Sequence, residues 1–298
     1  MQQVDSIRVD ISATLRQCQD LLRRANTLLA EERRFLEEEN VGTIVCDIPS
    51  IPLRAAKRAG IPALAAGNFA WDWIYEAYIN ADPAWREVVE HFRDGYSQCD
   101  LLMRMPFAEP MAAFPKRVDV GVTARPGRAR RAELALITGA DPSKTWVLLS
   151  FASLEWDAAA LWNVNALRDW EFFTVLPLGW NGPNLHAIDR RQISYSDVLA
   201  SCDAVLTKPG FGVLAECAVN NKPLIYVERT DFREYAILEA AVKRYYRHVH
   251  LPAAQLYRGD LRAALEAIAH APAPKETVRA GGDVQAAQII LDTCCSAM

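Results

Sequence analysis

The stretch from Cys202 to Glu216, Cys-Asp-Ala-Val-Leu-Thr-Lys-Pro-Gly-Phe-Gly-Val-Leu-Ala-Glu, constrains the fold more than any other part of the chain. Ala204-Val205-Leu206 is an apolar run of buried-strand type, Gly210 and Gly212 bracket a tight turn, and Val213 to Val219 falls at helical spacing. A strand that runs through a glycine turn into a helix leaves free backbone N–H groups at the positive end of a helix dipole. Such a turn suits an anion, for example a diphosphate. Glu216 lies one turn into the helix, where a carboxylate can take two vicinal ribose hydroxyls. The same spacing serves a plain helix–strand packing turn, so both uses stay open here.

The 298 residues suit two domains of ordinary size, or one large α/β domain. A hydrophobic fraction of 51% with 23% charged residues is that of a globular chain with real cores. A formal charge of -4 offers no field to gather nucleic acid or an anionic membrane, and nucleic acid is disfavoured as a partner. Seven cysteines, odd in number and without a Cys-x-x-Cys pair, fit a reducing compartment rather than a disulfide framework or zinc site. No apolar signal core opens the chain and no run of 18 apolar residues follows, so the expectation is a soluble, cytoplasmic protein without a transmembrane segment.

Along the chain, Val4, Ile7, Val9 and Ile11 alternate loosely as an extended lead-in, and from Ala13 a long amphipathic helix runs until Gly42. Thr43–Cys46 reads as a strand ending in Asp47-Ile48-Pro49, which puts Asp47 at the sheet edge where open α/β folds bind ligands. Helix Ser50–Ala59 and strand Pro62–Ala66 follow, then Gly67-Asn68-Phe69-Ala70-Trp71-Asp72-Trp73-Ile74-Tyr75 past another strand end, and Asp100–Met105 continues the alternation. Prolines puncture residues 106 to 130, and Arg125, Arg128, Arg130 and Arg131 cluster there, as a solvated interdomain linker or a phosphate patch.

A second α/β series starts with strand Trp146–Phe151 and continues through Phe172–Leu176, the Cys202–Glu216 stretch and Pro223–Val227. After it come a polar loop, Glu228-Arg229-Thr230-Asp231-Phe232-Arg233-Glu234, and three helices. The expected division is an acceptor-side domain over 1–120, a linker over 121–143 and a donor-binding domain over 144–298. The expected fold class is α/β, with two Rossmann-like parallel-sheet domains facing a cleft. That cleft would receive Gly210, Glu216, Asp231 and Glu234 from the second half, and Asp47, Asn68 and Asp72 from the first, a constellation suited to a nucleotide sugar.

No metal site is expected, because the histidines never pair at ligand spacing with a carboxylate cluster; His248-x-His250 reads as an edge strand. Lys208 precedes the glycines instead of following them, which excludes a P-loop, and Gly-x-Ser-x-Gly is absent. Ala215 stands where a dinucleotide fingerprint has its third glycine, and no acid-ended strand follows at the right distance.

Lys208-Pro209-Gly210-Phe211-Gly212-Val213-Leu214-Ala215-Glu216, Pro223–Val227 and Asp231-Phe232-Arg233-Glu234 resemble the donor-binding half of GT-B glycosyltransferases. The first half agrees: Asp47-Ile48-Pro49, Ala59-Gly60-Ile61-Pro62, Gly67–Tyr75 and Tyr96-Ser97-Gln98-Cys99 are similar to the glycosyltransferase-like family related to the amino-terminal domain of plant L-arabinokinase, and more distantly to cell-wall N-acetylglucosaminyltransferases. The resemblance implies a sugar transferase acting on a nucleotide-diphosphate sugar, with no tightly bound metal and no other cofactor. By it, Gly210 and Gly212, with Phe211 between them, face the donor diphosphate, Glu216 the ribose, and Asp231 and Glu234 the donor sugar. Lys208 is shared with the family without an assigned role, and Asn68 and Trp71 fall on the acceptor side.

Two departures matter. The family begins with a strand and a Gly-His-Gly-x-Gly-His type loop, and this chain is expected to start after that unit, with an incomplete first domain and an exposed strand edge that favours a homodimer or poor solubility. The turn after the first strand of the second half reads Ser150-Phe151-Ala152-Ser153 in place of glycines. Inverting transfer needs a base for the acceptor hydroxyl, and Asp47 or Asp72 would supply it. The alternatives are a non-catalytic nucleotide-sugar-binding or regulatory module and a nucleotide-sugar epimerase or hydrolase on the same scaffold. The base, the sugar and the acceptor are not legible in the residues.

Overall fold

The computed structural model describes residues 1–2, 5–229 and 232–296. The chain divides into two compact units, one of residues 1–2, 10–123 and 279–298, the other of residues 3–9 and 124–278.

The first unit opens with α1 (Ile11–Glu38), whose start is capped by the Asp10 carboxylate accepting from the Ala13 N–H at 2.8 Å. Cys18, Ala25, Leu29 and Leu36 recur at helical spacing on its buried side. The helix stops earlier than Gly42 because Asn40 takes a left-handed conformation, φ 50°, which suits asparagine past a helix end. Next come β1 (Ile44–Cys46), α2 (Ser50–Ala59), β2 (Ala63–Gly67), α3 (Trp71–Glu76), α4 (Trp85–Ser97), β3 (Leu101–Arg104) and β4 (Arg117–Asp119). The four strands form one parallel sheet in the order β1-β2-β3-β4. Strand β2 is buried along nearly its whole length, as parallel strands covered on both faces are.

The second unit holds α5 (Arg131–Thr138), β5 (Thr145–Ser150), α6 (Ala158–Asn165), β6 (Trp170–Val175), β7 (Leu185–Ile188), α7 (Tyr195–Ser201), β8 (Ala204–Thr207), α8 (Phe211–Val219), β9 (Leu224–Tyr226), α9 (Tyr235–Tyr245), β10 (His248–His250), α10 (Ala253–Tyr257) and α11 (Arg262–His270). Its strands pair in parallel as β10-β9-β8-β5-β6-β7. With β5 taken as first, that is the doubly wound order 3-2-1-4-5-6, which reverses direction between β5 and β8. Ligands of such sheets sit outside the carboxyl ends of those two strands, here Ser150 and Thr207.

Three segments depart from the expected boundaries. Residues 121–143, expected as linker, carry α5 and lie mostly within the second unit. Two of their arginines are used internally: Arg131 pairs with Asp203 at 3.0 Å and lies over the Trp146 ring, while Arg130 pairs with Glu133 and Asp197. Residues 5–9, expected as an extended lead-in, form a tight turn whose Asp5 carboxylate accepts from the Ile7 and Arg8 N–H groups, and Ile7 joins the second unit's core. Gln3 and Val4 lie outside the described residues.

The closing helix α12 (Gly282–Ser296), expected in the donor half, instead belongs to the first unit. Ala286, Ile289 and Ile290 pack on Leu64, Met103 and Val120, and Gln285 accepts from the Gly121 N–H at 3.0 Å. Apolar side chains on β2 and β3 need a cover on this face, and α12 supplies it. Among the described residues, no helix is long and apolar enough to cross a membrane.

Candidate functional site

In the second unit, β8 delivers Thr207 to the strand reversal and the chain turns at Pro209 and Gly210 into α8. Gly210 is the residue before the helix, extended at φ -154°, and as a glycine it supplies no capping side chain. The first intrahelical bond runs from the Leu214 N–H to the Gly210 carbonyl, so the Gly212 and Val213 N–H groups precede the ladder and face outward along the helix axis. A Cβ added at Gly212 would meet nothing within 4 Å, so no packing within the protein requires glycine there. That open space at a helix start is what a diphosphate needs.

Lys208 stands over this turn. Its Nζ lies 3.3 Å from the point a Cβ on Gly210 would occupy, and among the described residues it makes no hydrogen bond. Burial pushes the ammonium down to about 8, the nearby Arg229 guanidinium pushes the same way, and Glu234 opposes both. Arg229 is 3% exposed and stacks on the Phe232 ring, with Nη1 4.0 Å from Glu234 Oε1. Burial raises the Glu234 carboxyl, and its Oε2 is buried without a hydrogen-bond partner. Glu234 thus faces both cations next to the helix start.

Glu216 accepts from the Ser196 hydroxyl through Oε1 at 3.0 Å, while its Oε2 is buried without a partner and burial raises its pKa. An orphaned carboxylate oxygen is costly unless something outside the chain satisfies it, and ribose hydroxyls are suited to do so. Phe211 opens α8 half-buried. Asp231 lies outside the described residues.

The turn after β5 is occupied from within the unit. The Ala152 and Ser153 N–H groups donate to Ser6 Oγ at 3.1 and 2.9 Å, and the Ser6 N–H donates to the Ser153 carbonyl. These amides are therefore taken, while Gly210 offers the Gly212 and Val213 amides at the start of α8 no capping side chain. At the strand reversal, Ser150 Oγ and the Tyr195 hydroxyl lie 2.7 Å apart, and Thr207 Oγ1 donates to the Ser150 carbonyl.

In the first unit, the loops after β1 and β2 carry Asp47, Asn68, Trp71 and Asp72. Asp47 is exposed. The next residue, Ile48, is β-branched yet sits at φ 51°, a strained conformation that surrounding structure must hold. The Tyr96 hydroxyl donates to its carbonyl at 2.9 Å and accepts from the Trp71 N–H at 3.2 Å, tying the two loops together. Gly67 is needed at the end of β2, since a Cβ there would stand 2.7 Å from Ile48 Cγ2.

Asp72 is 5% exposed and 3.5 Å from Arg93; burial nonetheless leaves its pKa raised, and its Oδ1 has no hydrogen-bond partner. Asn68 donates to the Pro106 carbonyl at 2.6 Å and so braces the loop. Trp71 is held by its stack on Tyr75, with ring centroids 5.3 Å apart. Sequence reasoning missed Arg229, Ser196 and the role of Tyr96. Only the last left a trace, in the Tyr96–Cys99 motif.

No family model matches the chain. The two parallel sheets match the fold of solved GT-B glycosyltransferases. Calicheamicin glycosyltransferase CalG4 superposes with a TM-score of 0.61 at 19% identity, over 96% of this chain and 83% of that one. UGT89C1 of Arabidopsis thaliana, solved with UDP-L-rhamnose, superposes with a TM-score of 0.54 at 14% identity, over 96% of this chain and 79% of that one. In sequence the chain is similar to L-arabinokinase of Arabidopsis thaliana, 28% identical over 308 residues that take in 98% of this chain and 28% of that protein. The chain thus spans little more than a quarter of that relative's length. The resemblance carried by the motifs holds in both sequence and fold.

Proposed function

We propose that this chain is a glycosyltransferase that binds a nucleotide-diphosphate sugar on its second unit and transfers the sugar to a hydroxyl-bearing acceptor. The observation that carries the reading is the α8 start, where the Gly212 and Val213 N–H groups precede the helical ladder and Gly212 faces open space, with the Lys208 ammonium over Gly210 and Arg229 near it. These groups hold the diphosphate, and the vacant Glu216 oxygen takes ribose hydroxyls. Glu234 and Asp231 hold the donor sugar.

In the transfer, the acceptor oxygen forms a bond to the anomeric carbon as the bond from that carbon to the diphosphate breaks. The leaving diphosphate keeps the electron pair, and its charge is stabilised by the helix start and Lys208. Asp47, the exposed carboxylate beside the strained Ile48, takes the acceptor proton. Asp72, committed to Arg93, orders the loop. No tightly bound metal is needed in this scheme.

The test is calorimetric binding of a panel of UDP-, GDP- and dTDP-sugars to this chain and to Gly212→Asp. Binding of one nucleotide that the variant loses supports the donor site; a panel that never binds sinks it.

A further inference from the structure

Helix α1 carries two apolar stripes. One, through Cys18, Ala25, Leu29 and Leu36, is buried in the first unit's core. The other, Leu21, Leu28 and Phe35, repeats at every seventh residue, so it lies along a single line of the helix. It is less buried: Leu21, packed against the core's edge, and Leu28 are half-buried, and Phe35 shows 55% of its surface to solvent.

This second stripe forms one wall of a cavity of about 610 Å³, whose other wall is Ile51 at the start of α2, with Trp71 and Phe92. Its volume lies inside the range of small-molecule sites, roughly 300–1,000 Å³. It also lies where a parallel sheet presents ligand sites: Ile51 follows the carboxyl end of β1, and Trp71 follows that of β2.

We propose that this cavity binds a small molecule with an apolar ring system and a neutral or cationic polar group, and that it rejects anions. The rings are matched by Trp71, Phe92 and Phe35. Trp71 is pre-set for stacking, since Tyr75 on one side and Phe69 at its edge, 4.9 Å between centroids, fix its plane. The polar group is matched by Glu31 and Glu32, which line the cavity; Ser50, also in the lining, is buried with its Oγ 3.2 Å from His91 Nε2. No lysine or arginine lines the cavity among the described residues, so a carboxylate or phosphate on the ligand would meet two glutamates and no counter-charge. That the occupant is the sugar acceptor rests on the transferase reading above. The ligand site itself does not.

The experiment uses three probes on one ring system, each substituted at the same position, at pH 7: 2-naphthol, 2-naphthylmethylamine and 2-naphthoate. Binding is followed by tryptophan fluorescence and calorimetry, with nucleotide-sugar binding and sedimentation measured on the same samples. The first two probes are expected to saturate at least tenfold more tightly than the naphthoate. Glu31→Gln with Glu32→Gln should narrow that gap several-fold, and Leu28→Arg should abolish binding of all three while circular dichroism and nucleotide-sugar binding stay unchanged. Equal affinity for the three probes, no binding of any, or unchanged binding in Leu28→Arg would each overturn the proposal. So would concentration-dependent self-association that Leu28→Arg removes without any probe binding, which would make the stripe an interface between copies. Failure here beside intact nucleotide-sugar binding leaves the transferase reading standing; the reverse pattern removes that reading and keeps the ligand site.

Discussion

The Tyr96 hydroxyl donates to the Ile48 carbonyl at 2.9 Å, across 48 positions of sequence, and holds a β-branched residue at φ 51° beside the exposed Asp47. Tyr96 is wholly buried and stacks on Phe114 at 4.7 Å between centroids. Tyr96→Phe keeps the ring and removes the bond, leaving the Ile48 carbonyl and the Trp71 N–H each short of a partner. The expected cost is about 1–3 kcal/mol in urea unfolding, with the m-value unchanged. A variant as stable as the parent would show that the strain at Ile48 is held elsewhere.

Gly212→Asp separates folding from donor binding. The added side chain enters open space, and a carboxylate in a helix's first turn is worth about 0.3–1 kcal/mol in its favour. The melting temperature should hold or rise, while affinity for the diphosphate falls at least tenfold. Donor affinity equal to the parent's would move the diphosphate away from α8.

Lys208 sets a pH dependence. With the ammonium at about 8, the side chain is charged below that pH and neutral above it, and only the charged form attracts a diphosphate. Donor affinity should therefore fall as pH rises through 8, by at most about tenfold per unit. Lys208→Met should flatten this profile and weaken binding at pH 7 by about ten- to a hundredfold. Calorimetry from pH 6.5 to 9.5 checks both, and an undiminished slope in the variant would assign the titration to another group.

Asp47 and Asp72 should respond in opposite ways. Asp47→Asn should lower the transfer rate by about 10²–10⁴ with donor binding unchanged. Asp72 has a folded pKa raised above its unfolded value by burial, so its contribution to stability is present below the unfolded pKa and lost as pH rises through the folded one. Ionisation of Asp72 therefore weighs against the fold, and Asp72→Asn should melt no lower than the parent and keep transfer, its margin over the parent widening as pH rises. Loss of transfer in a well-folded Asp72→Asn would exchange the two roles.

The sequence is legible where one short run determines one element. Ser50–Ala59 is α2 residue for residue, and the Ala204–Leu206 run is β8 within a residue. Strand β4 is Arg-Val-Asp, with no apolar pattern to betray it, and β7 contains a histidine that pairs with the buried Glu171 at 2.7 Å. Both depend on neighbouring strands, and no local signal marks either. The same holds for charge: nothing in the polar loop's sequence shows that the Arg229 guanidinium lies over the Phe232 ring. Gly210, Gly212 and Glu216 were visible because a turn and a helix start are local. The partners that give them a field, Arg229 and Ser196, come from other segments.

The exchange of termini between the units bears on how the protein can be dissected. A cut after Thr123 looks natural on a linear map, yet it strips Asp5–Arg8 from the fragment that needs them and leaves α12 on the wrong piece. The second fragment would lose the hydroxyl that Ala152 and Ser153 donate to, and the first would bare Leu64 and Met103. Independent expression of either half therefore calls for rejoining distant stretches: 279–296 spliced onto the end of 10–123, and 5–9 grafted ahead of 124–278.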